Sequence, residues 1–331
     1  MSDALWPAGA ATGIGSLPGT DIAESLRVVL GELPDLPHLP ELPARGPGAD
    51  MIGRGAALLT ELPVEVYAGR WKFANRPGRD LRRAWDLLER DLDALYEQAG
   101  DFTGTFKVQV TGPWTLAASV ELPLGGRALR DHGAAREIAE SLADGVRRHL
   151  AQVKARIPHA TLLLQLDEPS LPSVLSGRVP TDSGLHTYRS VDVSTARSAL
   201  GAVVEAAGVP VIVHCCAEDV PLEMIREAGA RGVAIDLALV ADLDALGEAI
   251  DAGTVLVAGA ADPRRPAPSS AAIADRVRTV WHKLGFSSTL LVERVAVSAS
   301  CGLAGASPAS ARALLAACRD AGRRLADDAL A

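Results

Sequence analysis

The sequence predicts an α/β fold, a single (β/α)8 TIM barrel that covers residues 1–331 as one domain. Short runs of β-branched residues alternate with amphipathic helical segments, which is typical of parallel strands joined by helices. No internal repeat interrupts this alternation, and a hydrophobic fraction of 48% is ample for one large core. An open doubly wound sheet is the alternative, because it gives the same alternation.

Seven stretches have the composition of buried strands. The alternation is plain at residues 106–111, where Phe106, Val108 and Val110 point to one side of a strand. A weak eighth candidate lies at residues 50–54. The seven predicted strands are residues 11–16, 106–111, 162–166, 211–214, 233–236, 255–257 and 295–298.

Amphipathic helices separate these strands. Leu81, Trp85 and Leu88, for example, recur at a spacing of three or four positions. Ser307 followed by Pro308 is a typical helix start. The first predicted helix begins at Asp21, and the others cover residues 79–97, 131–157, 193–207, 220–227, 242–251, 269–284 and 307–326.

Two further expectations concern the surface. His149 falls at the edge of the apolar stripe of residues 131–157, so we expect a surface histidine. Residues 33–48 are rich in Pro and Leu and show no period. We expect them to form a long loop that covers a site.

Composition and charge exclude several classes of protein. A net charge of −8 argues against a nucleic-acid partner, and no run of 18 apolar residues suggests a membrane span. The N-terminus lacks the basic and apolar regions of a signal peptide. Four cysteines without regular spacing do not form a disulfide framework in a chain of this length. We therefore expect a cytoplasmic protein.

Metal-capable side chains gather at the predicted strand ends. In a strand, residues two apart point the same way, so His214 and Cys216 can face one side together. Imidazole and thiolate are the ligands that Zn²⁺ prefers. Asp236 ends a second strand, Cys301 follows a third, and they could add an oxygen and a second sulfur. The sequence therefore predicts an open zinc site.

The other two cysteines have a structural interpretation. Cys215 should face away from its neighbours, and Cys318 lies within an apolar helical run. Cysteine is among the most buried residue types, so we expect both to fill core.

Five segments, in order along the chain, resemble the cobalamin-independent methionine synthase family of the uroporphyrinogen decarboxylase/methionine synthase-like superfamily. The similarity spans nearly the whole chain and corresponds to the catalytic C-terminal domain of the long enzymes, here in a short single-barrel form. The segments are TGIGSLP at residues 12–18, TGPWT at 111–115, QLDEP at 165–169, HCC at 214–216 and CGL at 301–303.

The resemblance implies a zinc-dependent methyltransferase that transfers a methyl group to the thiol of homocysteine and so makes methionine. Asp167 would bind the amino group of the acceptor. The carboxylate of the acceptor would be held by backbone N–H and hydroxyl groups of Ile14, Gly15 and Ser16. The zinc ligands implied by the resemblance are His214, Cys216, Asp236 and Cys301.

Departures from the family pattern leave the methyl donor open. Asp236 stands where the family has Glu, and Arg264 stands where the family has the His that assists transfer from folate. The early Glu that grips the amino acid has no clear counterpart between Leu33 and Arg70. No segment resembles the folate-binding N-terminal half of the long synthases. Methyltetrahydrofolate and a methylated corrinoid, free or on a corrinoid protein, are both compatible donors.

Three alternatives remain at this stage. Another zinc–thiol alkyltransfer, such as thiol addition to an epoxide, would use the same ligands. A barrel related to uroporphyrinogen decarboxylase would use no zinc. A non-catalytic barrel could bind a thiol or a metal for sensing or storage.

Overall fold

The computed structural model describes residues 4–330 as a TIM-barrel-like α/β fold. Six parallel strands form one sheet in chain order, so each strand pairs with the next along the sequence. All six correspond to predicted strands, which are therefore confirmed. The strands are β3 (Gly104–Thr111), β4 (Ala160–Asp167), β5 (Val211–Cys215), β6 (Gly232–Asp236), β7 (Val255–Ala261) and β8 (Val295–Ala299).

Two irregular segments lie between β8 and β3. Ala11 forms a parallel bridge with Val297 of β8, and His38 forms one with Lys107 of β3. The two segments meet where the N–H of Glu41 donates to the carbonyl of Gly15 at 3.1 Å. Residues 11–16, predicted as a strand, thus make isolated bridges, and residues 33–48, predicted as a loop, contribute sheet-like contacts.

The weak strand prediction at residues 50–54 is wrong. These residues begin helix α2 (Met51–Ala57), and the Asp50 side chain accepts a hydrogen bond from the N–H of Gly53 at 2.8 Å. Asp is a preferred N-cap residue, so the local chemistry favours a helix start. A short antiparallel hairpin, β1 (Val64–Tyr67) and β2 (Arg70–Phe73), follows and was not predicted.

The eight predicted helices are confirmed, with ends that differ by a few residues. Helices α4 (Pro113–Ala117), α6 (Leu171–Leu175) and α11 (Ser288–Arg294) were missed because five to seven residues are too few to show a period. No helix within residues 4–330 combines the length and apolarity needed to cross a membrane. The remaining helices are α1 (Ile22–Glu32), α3 (Arg79–Ala99), α5 (His132–Arg156), α7 (Val193–Ala207), α8 (Leu222–Glu227), α9 (Leu243–Asp251), α10 (Ser270–Leu284) and α12 (Pro308–Leu330).

His149 corrects a further expectation, because it is buried rather than on the surface. A Cβ atom added to Gly145 would lie 1.9 Å from the carbonyl oxygen of Leu58. The segment after α2 therefore packs directly on the backbone of α5. This close approach covers His149, which lies one turn further along α5.

The two faces of each strand pack against different surroundings. Phe106, Val108 and Val110 of β3 belong to the large core shared with the helices. The opposite face of β4 carries Leu163 in a small interior cluster, followed by Gln165 and Asp167 toward the strand end. The interior cluster consists of Trp6, Ala10, Ile14, Leu36, Leu163, Ile212, Ala234, Val255, Val257 and Ala296.

Above this cluster lies a buried group of polar side chains, which we call the polar layer: Lys107, Gln109 and Gln165. Gln109 and Gln165 are register partners on β3 and β4. Asp167 lies two residues beyond Gln165 and is the register partner of His214. The polar layer thus forms the floor of the site at the carboxyl ends of the strands.

Candidate metal and amino-acid site

Three predicted ligands meet at the strand ends. His214 lies in β5, Cys216 follows β5 directly, and Cys301 lies two residues beyond β8. One ligand atom from each lies within 4.8 Å of the others. The two sulfur atoms are 3.4 Å apart. The structure therefore brings together two thiols and one imidazole from distant parts of the chain.

The hydrogen bonding of His214 fixes which ring nitrogen is free. Its Nδ1 lies 2.9 Å from the carbonyl oxygen of Ala234 on β6. A carbonyl oxygen only accepts, so Nδ1 donates to it, and Nε2 is the ring nitrogen left to face the thiol of Cys301. Histidines that ligate metals usually make such a hydrogen bond through the other nitrogen.

This donor set fits a zinc ion. Two sulfurs at about 2.3 Å from one ion with tetrahedral angles would be about 3.8 Å apart, close to the observed 3.4 Å between Cys216 and Cys301. Hydrogen bonds from Cys216 and then from His214 lower the pKa of Cys301. One of the two thiols is therefore ready to ionise. Three protein ligands leave one position of a tetrahedral site for another molecule.

Asp236 lies outside this group of three ligand atoms. It ends β6 and is half-buried, and one carboxylate oxygen accepts a hydrogen bond from the N–H of Ala238 at 2.9 Å. Its role at a metal stays a prediction. Cys215 and Cys318 are both fully buried, as predicted for core cysteines, and burial raises the pKa of each thiol to about 12.

Asp167 lies beside His214 on the neighbouring strand end. Its side chain is almost fully buried, and its Oδ1 accepts a hydrogen bond from Nε2 of Gln165 at 2.7 Å. Burial raises the pKa of Asp167, and the nearby His214 opposes this shift. A buried carboxylate with one oxygen bound in this way can offer the other to a cation.

Residues 14–16 line the same end of the barrel. The carbonyl of Ile14 accepts hydrogen bonds from Lys107 and Gln165, whereas the N–H groups of Gly15 and Ser16 have no hydrogen-bond partner within residues 4–330. The hydroxyl of Ser16 is also unpartnered among these residues. Free donors of this kind can bind a carboxylate.

A close contact joins this segment to the loop of Cys301. A Cβ atom added to Gly302 would lie 2.1 Å from Oγ of Ser16, so only glycine fits there without a shift. The N–H of Leu303 also donates to the carbonyl of Ser16 at 2.8 Å. The TGIGSLP and CGL segments therefore form one packed unit.

Glu168 of the QLDEP segment makes the contacts that join this segment to TGPWT. Its carboxylate accepts from the N–H groups of Trp114 and Thr115 at 2.9 and 2.8 Å, and from the Thr115 hydroxyl at 2.7 Å. It thereby anchors the start of α4. A Cβ atom on Gly112 would lie 2.4 Å from Oε1 of Glu168, which accounts for the glycine in TGPWT.

Glu41 was missed by the sequence analysis, which found no clear counterpart of the family's early Glu between Leu33 and Arg70. It is buried, forms a parallel bridge with Ser16, and lies 3.5 Å from Nε of Arg54. Burial raises the pKa of Glu41 to about 7, with Arg54 lowering it and Asp167 raising it. A second carboxyl group therefore lies near Asp167. The prolines around Glu41 concealed the segment, since proline argues against a strand.

Comparisons with known proteins identify the family and the fold of this chain. Residues 9–324 match the family described as "Cobalamin-independent synthase, Catalytic domain". No curated protein sequence matches the chain. Two solved structures share the fold at low sequence identity.

The first is a B12-independent methionine synthase from Shewanella sp. W3-18-1 in complex with selenomethionine, with a TM-score of 0.62 and 13% identity over 98% of this chain and 99% of that chain. The second is a methyltransferase from Methanosarcina mazei, with a TM-score of 0.55 and 12% identity over 100% of this chain and 96% of that one. Because the family match covers nearly the whole chain, this protein belongs to the cobalamin-independent synthase catalytic-domain family.

Proposed function

We propose that this chain is a zinc-dependent methyltransferase of the methionine synthase type, which transfers a methyl group to the thiol of homocysteine to make methionine. One observation carries the proposal. The zinc-type donor set of His214, Cys216 and Cys301 lies beside Asp167, a buried carboxylate suited to an ammonium group.

A thiol-specific metal site suits this reaction. A free thiol with a pKa of about 8.5 is mostly protonated at neutral pH and is a weak nucleophile. Zinc bound by these three residues would lower the pKa of a substrate thiol and hold the thiolate in place. His214, with Nδ1 fixed on Ala234, presents Nε2 in one orientation. We propose Asp236 as a weak fourth ligand or as a group that orients the others.

The residues around the metal site would hold the amino-acid part of the acceptor. Asp167 would bind the ammonium group, and the buried carboxyl group of Glu41, whose pKa Asp167 raises, would support it. The free N–H groups of Gly15 and Ser16, with the Ser16 hydroxyl, would bind the carboxylate. Such a site would bind an amino-acid thiol more tightly than a simple thiol. A simple thiol would leave Asp167 and the N–H groups of Gly15 and Ser16 without partners in the interior, which costs free energy.

We also propose that the whole chain works as one catalytic barrel. The bridges of Ala11 with Val297 and of His38 with Lys107 support the view that residues 11–16 and 37–41 act as the first two of eight strands. The methyl donor is methyltetrahydrofolate or a methylated corrinoid, free or carried by a corrinoid protein.

The test combines metal analysis with an assay of methyl transfer. The purified protein should contain about one zinc per chain. Homocysteine should become methionine with one of the two donors, and chelation should abolish the reaction. Zinc binding with no turnover on either donor would favour a sensing or storage barrel. Turnover only with an epoxide would favour the other zinc–thiol alkyltransfer.

A further inference from the structure

The polar layer holds one charged group to which the proposed reaction assigns no role, the ammonium of Lys107. This side chain is fully buried; burial lowers the pKa of Lys107 to about 7, and the charges of Asp167 and then Glu41 oppose this shift. Its Nζ donates to the carbonyl of Ile14 at 3.1 Å, to Oε1 of Gln109 at 3.0 Å and to Oε1 of Gln165 at 2.8 Å. Three acceptors match the three protons of an ammonium, whereas a neutral amine has only two.

Filling space does not account for this group. Burying an amine costs free energy even with the carboxyl groups of Asp167 and Glu41 near it, and an apolar side chain of similar length would fill the same volume without that cost. The function of Lys107 must therefore be sought in the groups that it holds.

Lys107 sets the orientation of Gln165. Because Oε1 of Gln165 is bound to the ammonium, Nε2 faces the other way and donates to Ile14 at 2.8 Å and to Oδ1 of Asp167 at 2.7 Å. A flipped amide would place its oxygen against the carboxylate and its NH₂ against the ammonium. The three acceptors around Nζ match the protonated form of Lys107, which cannot accept a hydrogen bond from that NH₂.

The same ammonium holds the backbone of residues 14–15. Lys107 and Gln165 both donate to the carbonyl of Ile14. In a trans peptide the C=O and the next N–H point in opposite directions. The N–H of Gly15 is therefore directed away from the polar layer, and it is one of the free donors described above.

We propose that Lys107 is a positioning residue that aligns both ends of the acceptor site. Through Gln165 it orients Asp167 toward the substrate ammonium, and through Ile14 it orients the N–H of Gly15 toward the substrate carboxylate. The inference rests on the proposed function and deepens it, since it explains how the site distinguishes a zwitterionic amino-acid thiol from thiols that lack one of the two charges.

The experiment compares three ligands by calorimetry on the zinc-loaded protein: homocysteine, γ-mercaptobutyrate, which lacks the amino group, and mercaptopropylamine, which lacks the carboxylate. In the wild type, homocysteine should bind about 10- to 100-fold more tightly than either analogue, as expected for hydrogen bonds to charged groups. In Lys107→Met the three affinities should converge to within a few-fold, while the zinc content stays unchanged.

Two further variants make the test specific. Val108→Ala on the same strand removes a buried side chain on the opposite face, so it should lower stability and keep the selectivity for homocysteine. Gln165→Glu keeps an acceptor for Lys107 but cannot donate to Asp167, so it should lose the selectivity against γ-mercaptobutyrate. If Lys107→Met does not fold, Gln165→Glu alone tests whether the hydrogen bonds that link Lys107, Gln165 and Asp167 give the selectivity.

The outcomes separate the inference from the function on which it rests. Wild-type selectivity in both Lys107→Met and Gln165→Glu would overturn the positioning role and leave the proposed function intact. A wild-type protein that binds homocysteine no better than the two analogues would instead contradict the proposed acceptor.

Discussion

Cys216 and Cys301 are the residues on which the metal assignment depends most, because they supply both sulfurs. We expect Cys216→Ser and Cys301→Ser each to weaken zinc binding by more than about 100-fold. Loss of a group that only hydrogen-bonds to a metal ligand already weakens metal affinity by about 10- to 100-fold. Metal analysis after gel filtration measures this. Cys215→Ala is the control and should keep its zinc, because Cys215 is fully buried outside the ligand group. Full zinc content in both serine variants would remove the proposed site.

His149 predicts a pH dependence of stability. Burial, and then the charge of Arg54, lowers the pKa of His149 from 6.5 to about 4 in the folded chain. The unfolded chain therefore binds this proton first as the pH falls. The contribution of His149 to the free energy of unfolding is therefore complete above pH 6.5 and is lost between pH 6.5 and 4. A pKa shift of this size corresponds to about 3 kcal/mol.

Urea unfolding of the wild type and His149→Gln at neutral pH and near pH 4 measures this contribution. The wild type should lose more stability over this range than the variant. His159→Gln is the matched control, since His159 is exposed, and it should behave as the wild type. Parallel losses in the wild type and His149→Gln would contradict the assignment.

Among the structural elements, the start of α4 depends on one contact between two motifs. Gly112→Ala would place a Cβ atom 2.4 Å from Oε1 of Glu168 and displace this carboxylate from Trp114 and Thr115. We expect a loss of about 2–4 kcal/mol in the free energy of unfolding, because hydrogen bonds to a charged group are broken in the interior.

Chemical denaturation of Gly112→Ala tests this contact. Gly31→Ala serves as the comparison, because the new Cβ on α1 meets open space within the described residues. Alanine favours a helix over glycine, so Gly31→Ala should be neutral or stabilising by up to about 1 kcal/mol. Equal free energies of unfolding for the two variants would show that the contact between Gly112 and Glu168 does not stabilise the fold.

The elements that the sequence predicted best are those with a long apolar period. Helices α3 and α5 and strands β3 and β4 each present several apolar side chains on one face, so the pattern outweighs local exceptions. Residues 33–41 were missed because they pair through isolated bridges and carry three prolines, which obscure a strand.

The candidate site was only partly predictable, for a related reason. Cys and His at strand ends are conspicuous, so the cluster of three ligands followed from strand geometry. Lys107 alternates with apolar residues on β3, and a lysine in that pattern normally faces solvent; its burial depends on barrel curvature, which no single strand encodes. The burial of His149 likewise depends on a close approach between distant segments.

At the level of the whole molecule, the mouth of the barrel bears on the choice of methyl donor. Transfer from methyltetrahydrofolate requires a proton at the leaving nitrogen. Arg264, which the resemblance of the sequence aligns with the His of the family, is exposed and bonded to Asp262 through two nitrogens. Arginine does not release a proton at neutral pH, since its pKa exceeds about 12.

We therefore expect methyltetrahydrofolate alone to be a poor donor, slower by a factor of about 10² to 10⁴, which is the typical contribution of a positioned general acid. A methylated corrinoid needs no such proton. Single-turnover transfer to homocysteine with each donor measures the difference. Rapid transfer from methyltetrahydrofolate without any corrinoid would restore folate as the donor.

The contact between Ser16 and Gly302 also has a consequence for synthesis of the chain. The proposed metal ligands Cys216 and Cys301 are 85 residues apart, and the bridge of Ala11 with Val297 forms only when β8 is present. At about 5–20 residues per second, a ribosome needs roughly 4–17 s to travel from one cysteine to the other. During that interval the nascent chain carries His214 and Cys216 without their third partner. At the proposed site, zinc can therefore be bound by all three residues only after Cys301 has been synthesised and residues 11–16 have met the loop of Cys301 and Gly302.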